Sequence, residues 1–139
     1  MNIKKIDITK YLDIPYKDFG KDFSEVDCFG LVRLFFKLEF HFYIPEFEYD
    51  NEWKSSAQNP IEDNYRAVCK KVIAPARYGI VSFRLPGYFV EHHLGIVLYD
   101  FEQFLHSPKD KPSCVDKLSH PVWKRAVSSY YEVKREEVI

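Results

Sequence analysis

The sequence has few of the features that define several common protein classes. It contains three cysteines, Cys28, Cys69 and Cys114, with no CxxC pair among 139 residues. An odd number of widely spaced cysteines argues against a disulfide framework and against a cysteine-rich zinc site. No apolar stretch approaches the length of a membrane span or of the hydrophobic region of a signal peptide. We therefore expect a protein made in the cytoplasm, without membrane insertion.

Neither sign of charge is in excess. The chain has 20 basic and 21 acidic side chains and a net charge of −1. This balance gives no reason to expect a nucleic acid or an anionic membrane as a partner. Hydrophobic residues make up 46% of the chain and aromatic residues 17%, enough for a core without metals or disulfides. We see no repeat, low-complexity tract or linker, so we predict a single domain over residues 1–139.

The order of the predicted elements indicates the fold class. A nearly continuous apolar run predicts a buried helix from Cys28 to about Phe40. Residues 61–72 predict a second, amphipathic helix. Strands are predicted over 79–85, 93–99, 102–107 and 127–133, with a turn around Trp123. Helices followed by antiparallel strands predict an α+β fold.

The first helix begins with a thiol beside a carboxylate. A helix N-terminus stabilises anions, so Cys28 stands where the pKa of a thiol is readily lowered. Asp27 can cap the same helix end, and Gly30 leaves room for a neighbouring backbone or a substrate. Two interpretations remain open: Cys28 is a nucleophile, or it is a small buried hydrophobic residue, as most free cysteines are.

Two of the five histidines fall at matching ends of neighbouring strands. A hairpin turning at residues 99–100 would place His93 directly opposite His106, with both rings on one face of the sheet. If that face met the start of the Cys28 helix, a Cys–His–His set would result. The alternatives are two ordinary surface histidines or two metal ligands, although no third and fourth ligands stand at the usual spacing.

The remaining histidines are interpreted as non-catalytic. His92 is the difficult case because it precedes His93 directly. Strand alternation sends the two side chains to opposite faces, so only one of them can meet Cys28. His41 and His120 lie outside the predicted strands.

Five short motifs follow one another in an order and at a spacing typical of one family. They resemble the NlpC-type papain-like cell-wall peptidases, and most closely the branch found in tail-assembly proteins of long-tailed phages. The resemblance covers roughly residues 12 to 135. The motifs are Pro15-Tyr16 with Gly20, Asp27-Cys28-Phe29-Gly30, Gly79-Ile80-Val81-Ser82-Phe83, His93-Leu94-Gly95-Ile96 and Leu105-His106-Ser107.

The resemblance implies a single NlpC-type cysteine peptidase domain with a papain-like core. In that fold the cysteine helix packs on an antiparallel sheet that bears the histidines. Cys28 would be the nucleophile, His93 the general base and His106 the residue that orients His93. Tyr16 would line the site and help stabilise the oxyanion, and Asp27 would take part in substrate binding. Neither a metal nor a cofactor is implied.

The implied activity is hydrolysis of amide bonds in peptidoglycan stem peptides. The phage-tail branch implies a location in the virion tail, tail-tip proteins as partners, and a role in cell-wall penetration or tail assembly. Phe29 departs from wall-turnover relatives, which often have a serine there that helps to receive the substrate's free amine. The alternative is a structural tail-tip module whose catalytic residues are unused, with its groove filled by the loop over residues 45–60 or by a partner protein. A host-encoded wall-remodelling enzyme is a third candidate, disfavoured by the missing export signal.

Overall fold

A six-stranded antiparallel sheet dominates the computed structural model, which describes residues 4–46 and 59–134. The strands are β1 Lys21–Asp22, β2 Glu25–Val26, β3 Cys69–Val72, β4 Ile80–Phe83, β5 His93–Val97, β6 Gln103–His106, β7 Cys114–Lys117 and β8 Val127–Val133. The strand order in the large sheet is β3-β8-β4-β5-β6-β7, so β3 and β7 are its edge strands. Strands β1 and β2 form a small separate hairpin before the first helix.

Helix α1 spans Cys28–Phe40, as predicted. Asp27 caps its first turn, and the chain leaves the helix at His41, which adopts a left-handed conformation with φ 52°. The other helical segments are the 3₁₀ helix Thr9–Tyr11, α2 Pro60–Tyr65 and α3 Pro121–Ala126. Within the two described ranges, no helix is long and apolar enough to cross a membrane.

The two faces of the sheet are covered by different elements. Buried residues of α1 such as Leu31 and Phe35 share one apolar cluster with Leu94, Ile96 and Leu105 of the sheet. The opposite face carries a smaller cluster around α3 and its Trp123, including Val81, Phe83, Val97 and Phe104. The predicted α+β fold with the cysteine helix packed on an antiparallel sheet is confirmed.

The second predicted helix is wrong in its C-terminal half. Helix α2 ends at Tyr65, and residues Cys69–Val72 form strand β3 instead. Strand β3 pairs along its whole length with β8, from Cys69 opposite Val133 to Val72 opposite Tyr130. Hydrogen bonding to β8 therefore decides the structure of this stretch. Helical periodicity in the sequence is a weaker determinant than such tertiary pairing.

The predicted register between β5 and β6 is wrong by two residues. Gly95, not His93, lies opposite His106. The connection is a longer loop rather than a tight turn, because the Leu98 N–H donates to Gln103 and Phe101 takes a left-handed φ of 62°. Asp100 stabilises that loop by accepting two backbone N–H bonds. A shift of two preserves the alternation of side chains, so His93 and His106 stay on one face as diagonal neighbours.

Candidate active site

Asp27 fixes the start of the helix that carries the cysteine. Its Oδ1 accepts the backbone N–H of Gly30 at 2.8 Å, and its Oδ2 accepts the N–H of Phe19 at 3.0 Å. The side chain is buried, so these bonds form in a medium where they are strong. Both oxygens thus tie the preceding loop to the first turn of α1. This arrangement favours a positioning role for Asp27, and its predicted part in substrate binding stays a prediction.

Gly30 lets the loop before β1 pass directly over the helix start. A β-carbon at Gly30 would lie 1.8 Å from the backbone oxygen of Gly20 and 3.0 Å from the α-carbon of Lys21. The same Gly20 oxygen accepts the N–H of Asp27 at 3.2 Å. The room predicted at Gly30 is therefore filled by this chain's own backbone. The contact holds the loop against the turn that bears the cysteine.

Substituting Gly30 by alanine should destabilise the protein, because the clash is with backbone and cannot be relieved by a rotamer change. We expect a loss of about 1–3 kcal/mol in the free energy of unfolding, the usual cost of overpacking. Urea denaturation measures this loss, and Lys37→Ala on the exposed side of the same helix is the matched control. Equal stability of the two variants would show that the close approach does not exist in solution.

Cys28 lies at the inner end of a cleft of about 270 Å³. The side chain is 8% exposed, and its sulfur is 4.0 Å from the backbone oxygen of His92. The exposed residues Lys109 and Lys111 stand at the outer rim. The cleft is lined by Tyr16, Cys28, Leu85, Tyr88, His92, His93, Ser107, Pro108, Lys109, Lys111 and Trp123. A ligand that enters the cleft would therefore meet the thiol and both adjacent histidines.

A chain of hydrogen bonds runs from the cleft into the sheet. His93 Nε2 lies 2.7 Å from His106 Nδ1, and His106 Nε2 lies 2.7 Å from Asp116 Oδ2. Trp123 stacks on the His93 ring and meets the His106 ring edge-on. His106 is completely buried. The three side chains come from β5, β6 and β7, which are adjacent strands, and they lie on the same face of the sheet.

The directions of these bonds follow from the chemistry of the outermost group. The Asp116 carboxylate can only accept, so His106 Nε2 carries a proton and donates it. Burial lowers the pKa of His106, and this effect outweighs the opposing effect of Asp116. The lowered pKa favours a neutral His106 ring with a lone pair on Nδ1. His93 Nε2 must then donate to that lone pair. In neutral His93 the remaining nitrogen, Nδ1, is unprotonated and can act as a base.

Cys28 and His93 line the same cleft, and His106 lies within hydrogen-bond distance of His93. The histidines lie on the face opposite the one that α1 covers. His93 is the first residue of β5, and Cys28 is the first residue of α1, so both stand at element ends that border the cleft. Cys28 and His93 thus border the same cleft from the start of a helix and the start of a strand, and α1 does not pack on the histidine face.

Asp116 was missed, although it completes the chain of hydrogen bonds. Strand β7 was not predicted, because "CVDK" is short, polar and at the sheet edge. Its register places Cys114 opposite His106 and Asp116 two residues further on the same face. No signal in the sequence alone links Asp116 to His106 without that strand.

His92 and His93 both line the cleft, so strand alternation alone does not separate them. The His92 ring stacks on Tyr88 with a centroid distance of 3.8 Å, and its Nδ1 lies 3.2 Å from the backbone oxygen of Val90. The His93 ring, by contrast, lies within hydrogen-bond distance of His106. His41 is the C-cap of α1, and His120 is the N-cap of α3.

Tyr16 borders the cleft beside Cys28. Its hydroxyl donates to Asp18 Oδ1 at 2.7 Å. Burial raises the pKa of Tyr16, and the hydrogen bond to Asp18 acts in the same direction, so the hydroxyl stays protonated and remains a donor. To stabilise an oxyanion it would have to turn away from Asp18. The predicted oxyanion role of Tyr16 stays a prediction.

Comparison with solved structures relates this arrangement to one fold. The NlpC/p60 domain of the peptidoglycan hydrolase SagA matches with a TM-score of 0.59 and 20% identity, over 89% of this chain and 91% of that one. An NlpC/P60 family protein from Bacillus cereus matches with a TM-score of 0.57 and 17% identity, over 86% of this chain and 35% of that one. A Staphylococcus aureus protein described as similar to a lipoprotein of the NLP/P60 family matches with a TM-score of 0.63 and 18% identity.

The Staphylococcus aureus match covers 96% of this chain and 44% of that one. This chain therefore spans less than half the length of both the Bacillus cereus and the Staphylococcus aureus proteins. No family model matches the sequence, and no curated protein matches it. At such identities the likeness concerns the arrangement of helices and strands. The chain has the fold of NlpC/P60 domains.

Proposed function

We propose that this chain is a cysteine peptidase that hydrolyses amide bonds in peptidoglycan stem peptides. The observation that carries the proposal is the hydrogen-bond chain from Asp116 through His106 to His93, which ends in the cleft that holds Cys28. Such a chain prepares one imidazole nitrogen for proton transfer, and a thiol at a helix N-terminus is the group that such a base activates.

The mechanism follows from the assigned protons. His93 Nδ1 takes the Cys28 proton, and the thiolate attacks the carbonyl carbon of the substrate. The backbone N–H of Cys28, at the helix start, can donate to the developing oxyanion, with Tyr16 as the second candidate donor. The imidazolium then gives its proton to the leaving amine, and water hydrolyses the thioester. His106 accepts from His93 Nε2 throughout and keeps Nδ1 directed at the reaction.

The cleft supports a peptide substrate that carries carboxylates. Lys109 and Lys111 stand at its rim, while Leu85, Tyr88 and Trp123 supply apolar walls. Stem peptides of peptidoglycan contain D-glutamate and, in many bacteria, diaminopimelate, both of which present free carboxylates. One structural neighbour is a peptidoglycan hydrolase by its description.

The motif resemblance supports a setting in the tail of a long-tailed phage. There the domain would act in cell-wall penetration or tail assembly, next to tail-tip proteins. The competing role is a structural tail-tip module with an unused site. Most of the 45–60 loop, proposed as a plug for the groove, lies outside the described residues. In the described part a cleft leads to Cys28, which favours the enzyme.

Incubation of the purified protein with peptidoglycan tests the proposal. We expect soluble stem-peptide fragments, identified by mass spectrometry, and a new amine at the cleaved bond. Intact peptidoglycan after prolonged incubation of folded protein would favour the structural role.

The three thiols should differ in reactivity. Burial raises the pKa of Cys69 to about 12. Burial, together with Asp116, raises the pKa of Cys114 to about 11. A raised thiol pKa means that the thiolate forms only at alkaline pH, so both residues should react slowly at pH 7. We expect iodoacetamide to modify Cys28 first, as peptide mapping would show. Equal rates at the three thiols would contradict a nucleophilic Cys28.

A further inference from the structure

Three potential metal ligands converge at the outer end of the hydrogen-bond chain. His106 Nε2, Cys114 Sγ and Asp116 Oδ2 all lie within 4.8 Å of one another. The Cys114 sulfur is 3.7 Å from the nitrogen and 3.7 Å from the oxygen. The proposed peptidase mechanism makes no use of Cys114.

The distances are close to those of a tetrahedral site. Ligand atoms around tetrahedral Zn²⁺ stand about 3.3–3.6 Å apart, given bonds of about 2.0 Å to nitrogen or oxygen and 2.3 Å to sulfur. The two sulfur distances of 3.7 Å exceed this range by only about 0.1 Å. The 2.7 Å hydrogen bond between His106 and Asp116 must lengthen by about 0.6 Å. Cys114 and Asp116 are partly exposed on an edge strand, which leaves a fourth position for water.

We propose that His106, Cys114 and Asp116 bind Zn²⁺ or a similar thiophilic divalent ion, and that the bound ion switches off Cys28 and His93. One thiolate, one imidazole and one carboxylate form a donor set that suits zinc. The site contains neither Cys28 nor His93, and it shares the two positioning residues His106 and Asp116 with the proposed catalytic arrangement. The inhibitory effect rests on the proposed function, whereas the binding does not.

The switch follows from which nitrogen of His106 holds the proton. A metal on Nε2 uses the lone pair there, so the neutral ring must carry its proton on Nδ1. Nδ1 then donates to His93 Nε2, which becomes an acceptor. His93 is left with its single proton on Nδ1, the nitrogen that should accept the proton of Cys28. The base is thereby blocked without any contact between the metal and the thiol.

The protons balance. Cys114 releases one proton to solvent when its sulfur binds the metal. His93 and His106 each hold one proton before and after binding, but on the other ring nitrogen. If Cys28 and His93 begin as a thiolate and imidazolium pair, the proton lost by His93 returns to Cys28, so the nucleophile becomes a neutral thiol.

Metal binding is tested first in the Cys28→Ala protein, where the proposed nucleophile cannot bind a metal. Titration with Co²⁺, a spectroscopic probe for zinc sites, should produce a thiolate-to-cobalt charge-transfer band. Adding Cys114→Ser should remove the band and weaken Co²⁺ binding by roughly tenfold or more, since even supporting residues of metal sites contribute that much. No band with Cys114 present, or an unchanged band without it, would overturn the site.

The switch is tested by the alkylation of Cys28. Zn²⁺ should slow iodoacetamide modification of Cys28 at least about tenfold in the wild-type chain, since a neutral thiol is a poor nucleophile. Cys114→Ser and Cys114→Ala, both checked by circular dichroism, should be insensitive to the same Zn²⁺ concentration. Equal slowing in all three proteins would mean that Zn²⁺ binds Cys28 itself, which overturns the switch. Neither assay requires hydrolysis, so failure of the proposed function is a separate result.

Discussion

Replacing Cys28 by alanine should abolish peptidoglycan hydrolysis and leave the fold intact. Cys28 is the proposed nucleophile that forms the acyl-enzyme, so the loss should reach about 10⁴-fold or more, as for nucleophiles of other covalent hydrolases. The change removes one sulfur atom from a side chain that is 8% exposed. Release of stem-peptide fragments and the far-ultraviolet circular dichroism spectrum measure the two halves of this prediction.

Cys69→Ala is the matched control for that experiment. Cys69 is also a buried cysteine, but it lies in edge strand β3 and does not line the cleft. Its loss should leave hydrolysis nearly unchanged. If Cys28→Ala failed to fold while Cys69→Ala folded, Cys28 would be a packing residue. Residual hydrolysis by a folded Cys28→Ala protein would exclude covalent catalysis at this position.

Helix α1 was predictable because its local signals agree. Its apolar residues form one long run, Asp27 is a good N-cap, and no proline interrupts the segment. The buried residues of α1 then pack on the sheet as the pattern requires.

The sequence of residues 61–72 gave conflicting signals for helix and strand. Val68, Cys69 and Val72 fit a strand as well as a helix, and only the position of β8 decides between the two.

The histidine pair was predicted correctly as a pair and incorrectly in its register. Side chains alternate between the two faces of a strand, so a register shift by an even number of residues leaves each side chain on the same face. The register itself depends on the loop, where Phe101 adopts a left-handed conformation that no residue preference indicates. The shift also gives Gly95 its role, since a β-carbon there would lie 2.7 Å from the Phe104 ring.

Asp116 shows where prediction from the sequence ends. A carboxylate that orients a buried imidazole has no fixed spacing from it, because the contact crosses between strands. Its place depends on the pairing of β6 with β7, and β7 is an edge strand with few apolar residues. The same pairing brings Cys114 to His106, so the metal site was equally hidden.

The final prediction concerns the choice of base between two adjacent histidines. His93→Ala should lower the rate of hydrolysis by about 10²–10⁴-fold, the usual contribution of a general base. His92→Ala should lower it much less, because the bond to His106 and Asp116 prepares His93 alone. Steady-state rates with peptidoglycan fragments at pH 7 measure both.

His106→Ala should fall between the two, since water can partly replace a residue that only orients the base. His106 is completely buried, so its variant must first be shown to be folded.

His92 stacks on Tyr88 at the side of the cleft, which makes His92→Phe a second control that keeps the stacking and removes the ring nitrogens. Because His92 and His93 both reach the cleft, geometry alone leaves both within range of a substrate, and the order of the three losses identifies the base. A greater loss from His92→Ala than from His93→Ala would mean that the chain from Asp116 to His93 is structural and that proton transfer takes another path.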